Sequence, residues 1–150
     1  MSPENKDRRF LSEHERLGAP DFTGTWQGEK YGGEGFFTMY ILRKEPTVVR
    51  VQTSQVGEIK EDAEAIDGVI FDTIGLAVFT GLLKRDSASF TKIYSESARK
   101  RGGSSDKIFY SGNFDEKTGA YLGIFGFSDI KDAGKFSMVS GDKRRAPLKK

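Results

Sequence analysis

Phe22-Thr23-Gly24-Thr25-Trp26-Gln27-Gly28 holds the only tryptophan of the chain and opens a succession of strand-like segments that runs almost to the C-terminus. Phe22, Gly24 and Trp26 stand at every second position, so the two large rings share one face of a strand, and the glycine between them admits close backbone approach. Downstream, short apolar stretches separated by turn residues read as antiparallel hairpins joined one after another. This reading places strands at 22–31, 35–44, 47–56, 66–73, 76–83, 88–96, 106–114, 119–128 and 134–140. Tyr31-Gly32-Gly33-Glu34-Gly35, Glu45-Pro46-Thr47, Thr73-Ile74-Gly75 and Asp115-Glu116-Lys117-Thr118-Gly119 supply the turns. No interval except 57–65 has room for a helical crossover, which argues against a parallel sheet.

Gly68, Gly81, Gly112, Gly123 and Gly126 interrupt otherwise good strand sequence. Each costs on the order of 1 kcal/mol relative to alanine, and sharp coiling at barrel corners is a sufficient reason for them. The fold expected is all-β: an antiparallel up-and-down barrel of about 8–10 strands with an N-terminal helix. For the helix, Ser2 is a good N-cap, Pro3 suits the first turn, and Gly18 with Pro20 ends it after Leu17. Phe10, His14 and Leu17 form its narrow apolar stripe. The organisation expected is therefore residues 1–21 as helix and linker packed on the barrel, 22–141 as the barrel, and 142–150 as a basic tail.

At 150 residues the chain is one domain, large enough to bury a core unaided. It has no cysteine, which excludes disulfides, thiolate metal sites, iron–sulfur clusters and a cysteine nucleophile. The start lacks the apolar core of a signal peptide and no segment is long and apolar enough to span a membrane, so a cytoplasmic protein is expected. A net charge of +2 is no nucleic-acid signature, but it is unevenly spread. Six acids meet one lysine from Glu58 to Asp72, four bases meet one acid from Arg99 to Lys107, and five bases meet one acid from Asp142 to Lys150.

Candidate chemistry is sparse. His14, the only histidine, has no serine or carboxylate arranged locally as its partner, and packing is the favoured role. Glu58, Glu61, Asp62, Glu64, Asp67 and Asp72 lack the spacing of a calcium loop and read as a solvated acidic loop. Carboxylate pairs such as Asp67 with Asp72 or Asp129 with Asp132 would serve as acid and base only if a cleft brought them together. Gly32-Gly33-Glu34-Gly35 and Gly102-Gly103-Ser104-Ser105 lack the lysine and helix of a phosphate loop and read as turns. Ser95–Ser105 reads as a long, flexible, basic connection, and the basic tail lacks the interleaved aromatics of an RNA-binding segment. Strands 76–83 and 119–128 are apolar on both faces, so one face fills the interior while the other needs a cover.

The entry motif Phe22-Thr23-Gly24-Thr25-Trp26, the helix before it, the run of strands after it and Arg144 or Arg145 beyond the last strand resemble the calycin-type barrels: lipocalins, fatty-acid-binding proteins and avidins. The resemblance implies a closed barrel with a basic residue packed over the entry tryptophan. It also implies an interior that holds a small ligand. A single tryptophan argues against biotin, and the absence of cysteine and of a leader argues against extracellular transport.

The leading expectation is a non-catalytic protein that binds a small, largely apolar molecule inside the barrel. Trp26 lies at the closed end, Tyr40, Tyr94 and Tyr110 provide polar selection, and Phe79 and Phe125 add to the lining. No cofactor or metal is expected. The alternative is an interaction or scaffold module with a solid barrel core. It would dock a second copy or another protein through the outer faces of 76–83 and 119–128. A small-barrel isomerase or lyase is a minor third reading.

Overall fold

The computed structural model describes residues 18–28 and 33–141. Eight antiparallel strands follow one another round a closed barrel, each paired with its neighbour in sequence and the last with the first. They are β1 (Phe22–Gly28), β2 (Gly33–Thr53), β3 (Gly57–Asp72), β4 (Leu76–Leu83), β5 (Ser87–Tyr94), β6 (Ile108–Asp115), β7 (Ala120–Gly126) and β8 (Gly134–Ser140). Closure rests on β1 and β8, where Trp26 lies opposite Phe136 and Phe22 opposite Ser140. The expected N-terminal helix and basic tail, with Phe10, His14, Leu17, Arg144 and Arg145, lie outside the described residues.

Strand alternation carries Phe37 and Met39 of β2, Ile66 and Ile70 of β3, Phe79 of β4, Phe90 of β5 and Phe136 and Met138 of β8 into one buried cluster. Its rings interlock: Phe90 stacks on Tyr110 with centroids 4.5 Å apart, while Phe79 and Phe136 each meet Phe90 edge-on at 6.0 Å. The middle of the barrel is filled by its own side chains. Gly112 and Gly123 face each other across β6 and β7, and a Cβ on Gly123 would run into the Ser111 carbonyl and the Gly112 Cα. Those glycines allow the wall to curl where any side chain would hold the strands apart.

Three expectations are corrected. Glu45-Pro46-Thr47 is no turn: the segments 35–44 and 47–56 belong to a single strand, β2, and the reversal comes at Thr53–Gly57. Residues 57–65 are correspondingly strand, so the acids Glu58, Glu61, Asp62 and Glu64 lie along β3 and not in a loop. Pro46 is tolerated because β1 pairs with β2 only as far as Met39, which leaves Pro46 on a stretch with a strand neighbour on one side alone. Further, the connection after β5 is not simply flexible. Ser95 caps a helix, α1 (Glu96–Lys100), by accepting from the Ala98 amide at 3.2 Å, and Ala98 is buried against Gly75.

Candidate functional site

Strands β1, β3, β5 and β7 all finish at one end of the barrel, so whatever their last inward residues carry is gathered there. The last inward residue of β3 is Asp72, and those of β5 are Lys92 and Tyr94. Lys92 is 1% exposed, and its ammonium donates to Asp72 Oδ2 at 2.9 Å and to the Tyr94 hydroxyl at 3.0 Å. The Tyr94 hydroxyl in turn donates to Asp72 Oδ2 at 2.7 Å. The other carboxylate oxygen, Oδ1, accepts the amides of Ile74 and Gly75 at 2.8 and 3.0 Å and so ties the charge pair to the β3–β4 turn. Rings surround the ammonium: it lies 4.5 Å from the Tyr94 centroid, 5.0 Å from Trp26 and 5.2 Å from Tyr110.

This environment sets the protonation states. Burial opposes charge on Lys92, but Tyr110, Asp72 and Tyr94 together outweigh it and hold the ammonium protonated well above the ordinary lysine range. Burial drives the Tyr94 and Tyr110 hydroxyls upward, against the pull of Lys92, so both phenols stay neutral. The cluster is one ion pair with neutral hydroxyls around it, every buried polar atom partnered.

Above it opens a cleft of about 370 Å³. Trp26, Lys92, Tyr94, Tyr110 and Phe125 form its inner wall, and Ile74, Ile108, Phe127 and Ile130 its apolar sides. Ser104, Asp106 and Asp129 stand in the lining as its polar members. Asp106 joins two loops across this end, accepting from the Ser128 hydroxyl at 3.0 Å, the Ser128 amide at 3.3 Å and the Lys107 amide at 2.8 Å. The Ser128 hydrogen bonds, more than any charge, hold its carboxyl below the usual carboxylate range.

Four of the six site residues expected from sequence come together here: Trp26, Tyr94, Tyr110 and Phe125. Phe79 is 1% exposed in the filled middle of the barrel, below the cleft. Tyr40 occupies the opposite face of β2 from Phe37 and Met39 and is buried edge-on to Phe71, centroids 5.8 Å apart. Lys92 and Asp72 escaped the sequence reading as a pair. The signal was available: Ala88, Phe90, Lys92 and Tyr94 form one alternation set of β5, and a lysine inside an otherwise apolar set is a buried charge. Among the described residues the cation against Trp26 is Lys92, which comes from the middle of the chain.

The acids of β3 are drawn into ion pairs along the sheet, Lys44 with Glu64 at 3.9 Å, Lys84 with Glu61 at 3.6 Å and Arg43 with Asp67 at 2.8 Å. No three metal-binding side chains gather among the described residues. Nor is any described helix long and apolar enough to cross a membrane. No protein-family model, curated protein or solved structure matches the chain.

Proposed function

We propose that this chain is a calycin-type, non-catalytic binding protein that holds a small, largely apolar ligand in the end cleft. The observation that carries the reading is the cleft's floor: a buried charge pair satisfied within itself, with the rings of Trp26, Tyr94 and Tyr110 about its ammonium. Because Lys92 is engaged by Asp72 and Tyr94, it offers a ligand neither a free charge nor a base. What the cleft offers is ring faces and a polar rim. Its volume equals about a dozen waters at roughly 30 Å³ each. A ligand of that size, roughly 15 non-hydrogen atoms at about 0.3 to 0.4 kcal/mol each, reaches an affinity near 0.1 mM.

Trp26 makes the test direct. Titration with a panel of small aromatic and branched aliphatic compounds is expected to change its emission saturably, and the same compounds are expected to raise the melting temperature in proportion to ln(1 + [L]/Kd). A panel that leaves both readouts flat overturns the proposal.

A second reading has its own support. The filled barrel core and the apolar side chains on the outer wall fit an interaction module. Val78 lies opposite Ile93 on β4 and β5, and Phe109, Leu122 and Ile124 continue the apolar surface over β6 and β7. Sedimentation that shows a tight complex, lost when Val78 and Leu122 are replaced by lysine, favours this reading over the first.

A further inference from the structure

The end of the barrel opposite the cleft carries a feature that neither reading uses. β3 pairs with β4 only from Glu64 onward, and β1 pairs with β2 only as far as Met39. Among the described residues Thr47–Thr53 and Gly57–Ala63 therefore pair only with each other and extend past the barrel as a two-stranded arm. Seven residues at about 3.3 Å each make it roughly 20 Å long. A register shift between Ile41 and Arg43 marks its root, where Arg43 clasps Asp67 at 2.8 Å. Two strands alone are marginal in water, and an unpaired edge is a template for another strand. Yet the arm is rich in β-branched residues, with Val48, Val56 and Ile59 exposed.

We propose that the arm is a homodimerisation element: β2 of one copy pairs antiparallel with β2 of a second across a two-fold axis at Val49, giving a four-stranded sheet in the order β3, β2, β2, β3.

The residue pattern selects this occupant and this edge. With Val49 on the axis, Val49 meets Val49, Val48 meets Arg50 and Thr47 meets Val51, and the pairing stops short of Pro46, which has no N–H to add to it. No like charges lie directly opposite, and the centre is apolar. Each Arg50 already faces Glu58 of its own arm at 3.9 Å, which tempers the two arginines that become diagonal neighbours. On the Val49 face Val51 lies opposite Ile59 and Thr47 opposite Ala63, while Val49 itself lies opposite Glu61, whose carboxylate is drawn toward Lys84 at 3.6 Å. The β3 edge is the poorer choice. Gly57–Ala63 holds three acids and one lysine, so pairing it with its own copy brings two surplus negative charges from each side together. Pairing β2 of one copy with β3 of the next is head-to-tail and repeats into a filament, whereas β2 with β2 is two-fold and leaves only the acidic β3 edges outermost.

The test is the oligomeric state of the full chain by sedimentation, with near-ultraviolet circular dichroism to follow the fold. The wild type is expected to be dimeric. Val49→Lys and Val49→Glu each set like charges on the axis, so each alone is expected to be monomeric with the wild-type spectrum. Mixed in equal amounts they are expected to recover a dimer, because lysine then meets glutamate. A monomeric wild type, or a dimer that both single variants leave intact, overturns the proposal. Single variants that are monomeric but fail to recombine on mixing overturn the Val49-centred register. Neither result depends on whether the cleft binds a ligand.

Discussion

Lys92 brings a full charge to a place where only 1% of its surface meets water, and the fold accommodates it with one carboxylate, a hydroxyl hydrogen bond and three ring faces. Replacing one member of such a pair leaves the other charged and unpartnered. Lys92→Met is therefore expected to destabilise the chain by about 3–5 kcal/mol, measured by urea unfolding. The double variant Lys92→Met with Asp72→Asn is expected to regain a good part of that loss, because the carboxamide oxygen that replaces Oδ1 would still accept from the turn amides. The same cluster dictates an alkaline limit. Lys92 and Tyr94 both bind their protons more tightly in the folded chain than at their ordinary values of 10.5 and 10.0. Raised folded values mean stability fully present below about pH 10 and lost as the pH climbs through the folded values. Melting temperatures taken from about pH 8 to about pH 11 are expected to hold and then fall in the wild type, and to fall less in the double variant. A wild-type curve that is flat to the alkaline end denies the cluster its role. The individual rings Trp26, Tyr94, Tyr110 and Phe125 could be named from the sequence as candidate lining, although 119–128 is apolar on both faces and its pattern does not choose a side for Phe125. The ion pair between them was harder to see, since Asp72 and Lys92 lie 20 positions apart and only the barrel's curvature joins them.

Among the elements, β4, β5, β6, β7 and β8 lie within two residues of where the sequence puts them, and β1 begins at Phe22 as expected. β2 and β3 do not, for a physical reason. Pro46 and the acids from Glu58 to Glu64 carry turn and loop propensity, which is decisive in an isolated segment but is overridden when a partner strand lies alongside. Ser95–Lys100 reads as loop by its charge, although Ser95 is a helix cap and Ala98 has a glycine to pack against. The strand glycines were legible as corners, and they yield a quantitative expectation. Gly123→Ala places a Cβ against the Ser111 carbonyl and the Gly112 Cα, both backbone and neither able to yield without moving a strand. Overpacking of that kind is expected to cost about 1–3 kcal/mol, read as a lower urea midpoint with an unchanged slope. An alanine at 123 that is neutral in stability would mean that β6 and β7 can separate freely and that their tight approach does not hold the barrel shut.

The whole molecule divides its labour between its two ends. Cleft, charge pair and α1 lie at the end where the odd-numbered strands finish, and the β2–β3 arm projects from the other, with the packed rings of Phe37, Phe79, Phe90 and Phe136 between them. Because those rings close the barrel interior without help from the arm, the arm is expected to be dispensable to the fold. Pro46 lies directly opposite Glu64 in the ladder, so residues 47–63 can be removed and the strands rejoined there through Asn-Gly, the two-residue turn that matches their twist. Such a shortened chain keeps every residue of the buried cluster and every hydrogen bond around Lys92. Its melting temperature is expected to stay within about 5 °C of a monomeric Val49→Lys chain, a difference of roughly 1–2 kcal/mol at this size. Its Trp26 emission is expected to respond to cleft ligands as before. Loss of the cooperative transition would show that the arm is part of the folding core, because a barrel that needs the ribbon cannot be sealed by its own rings.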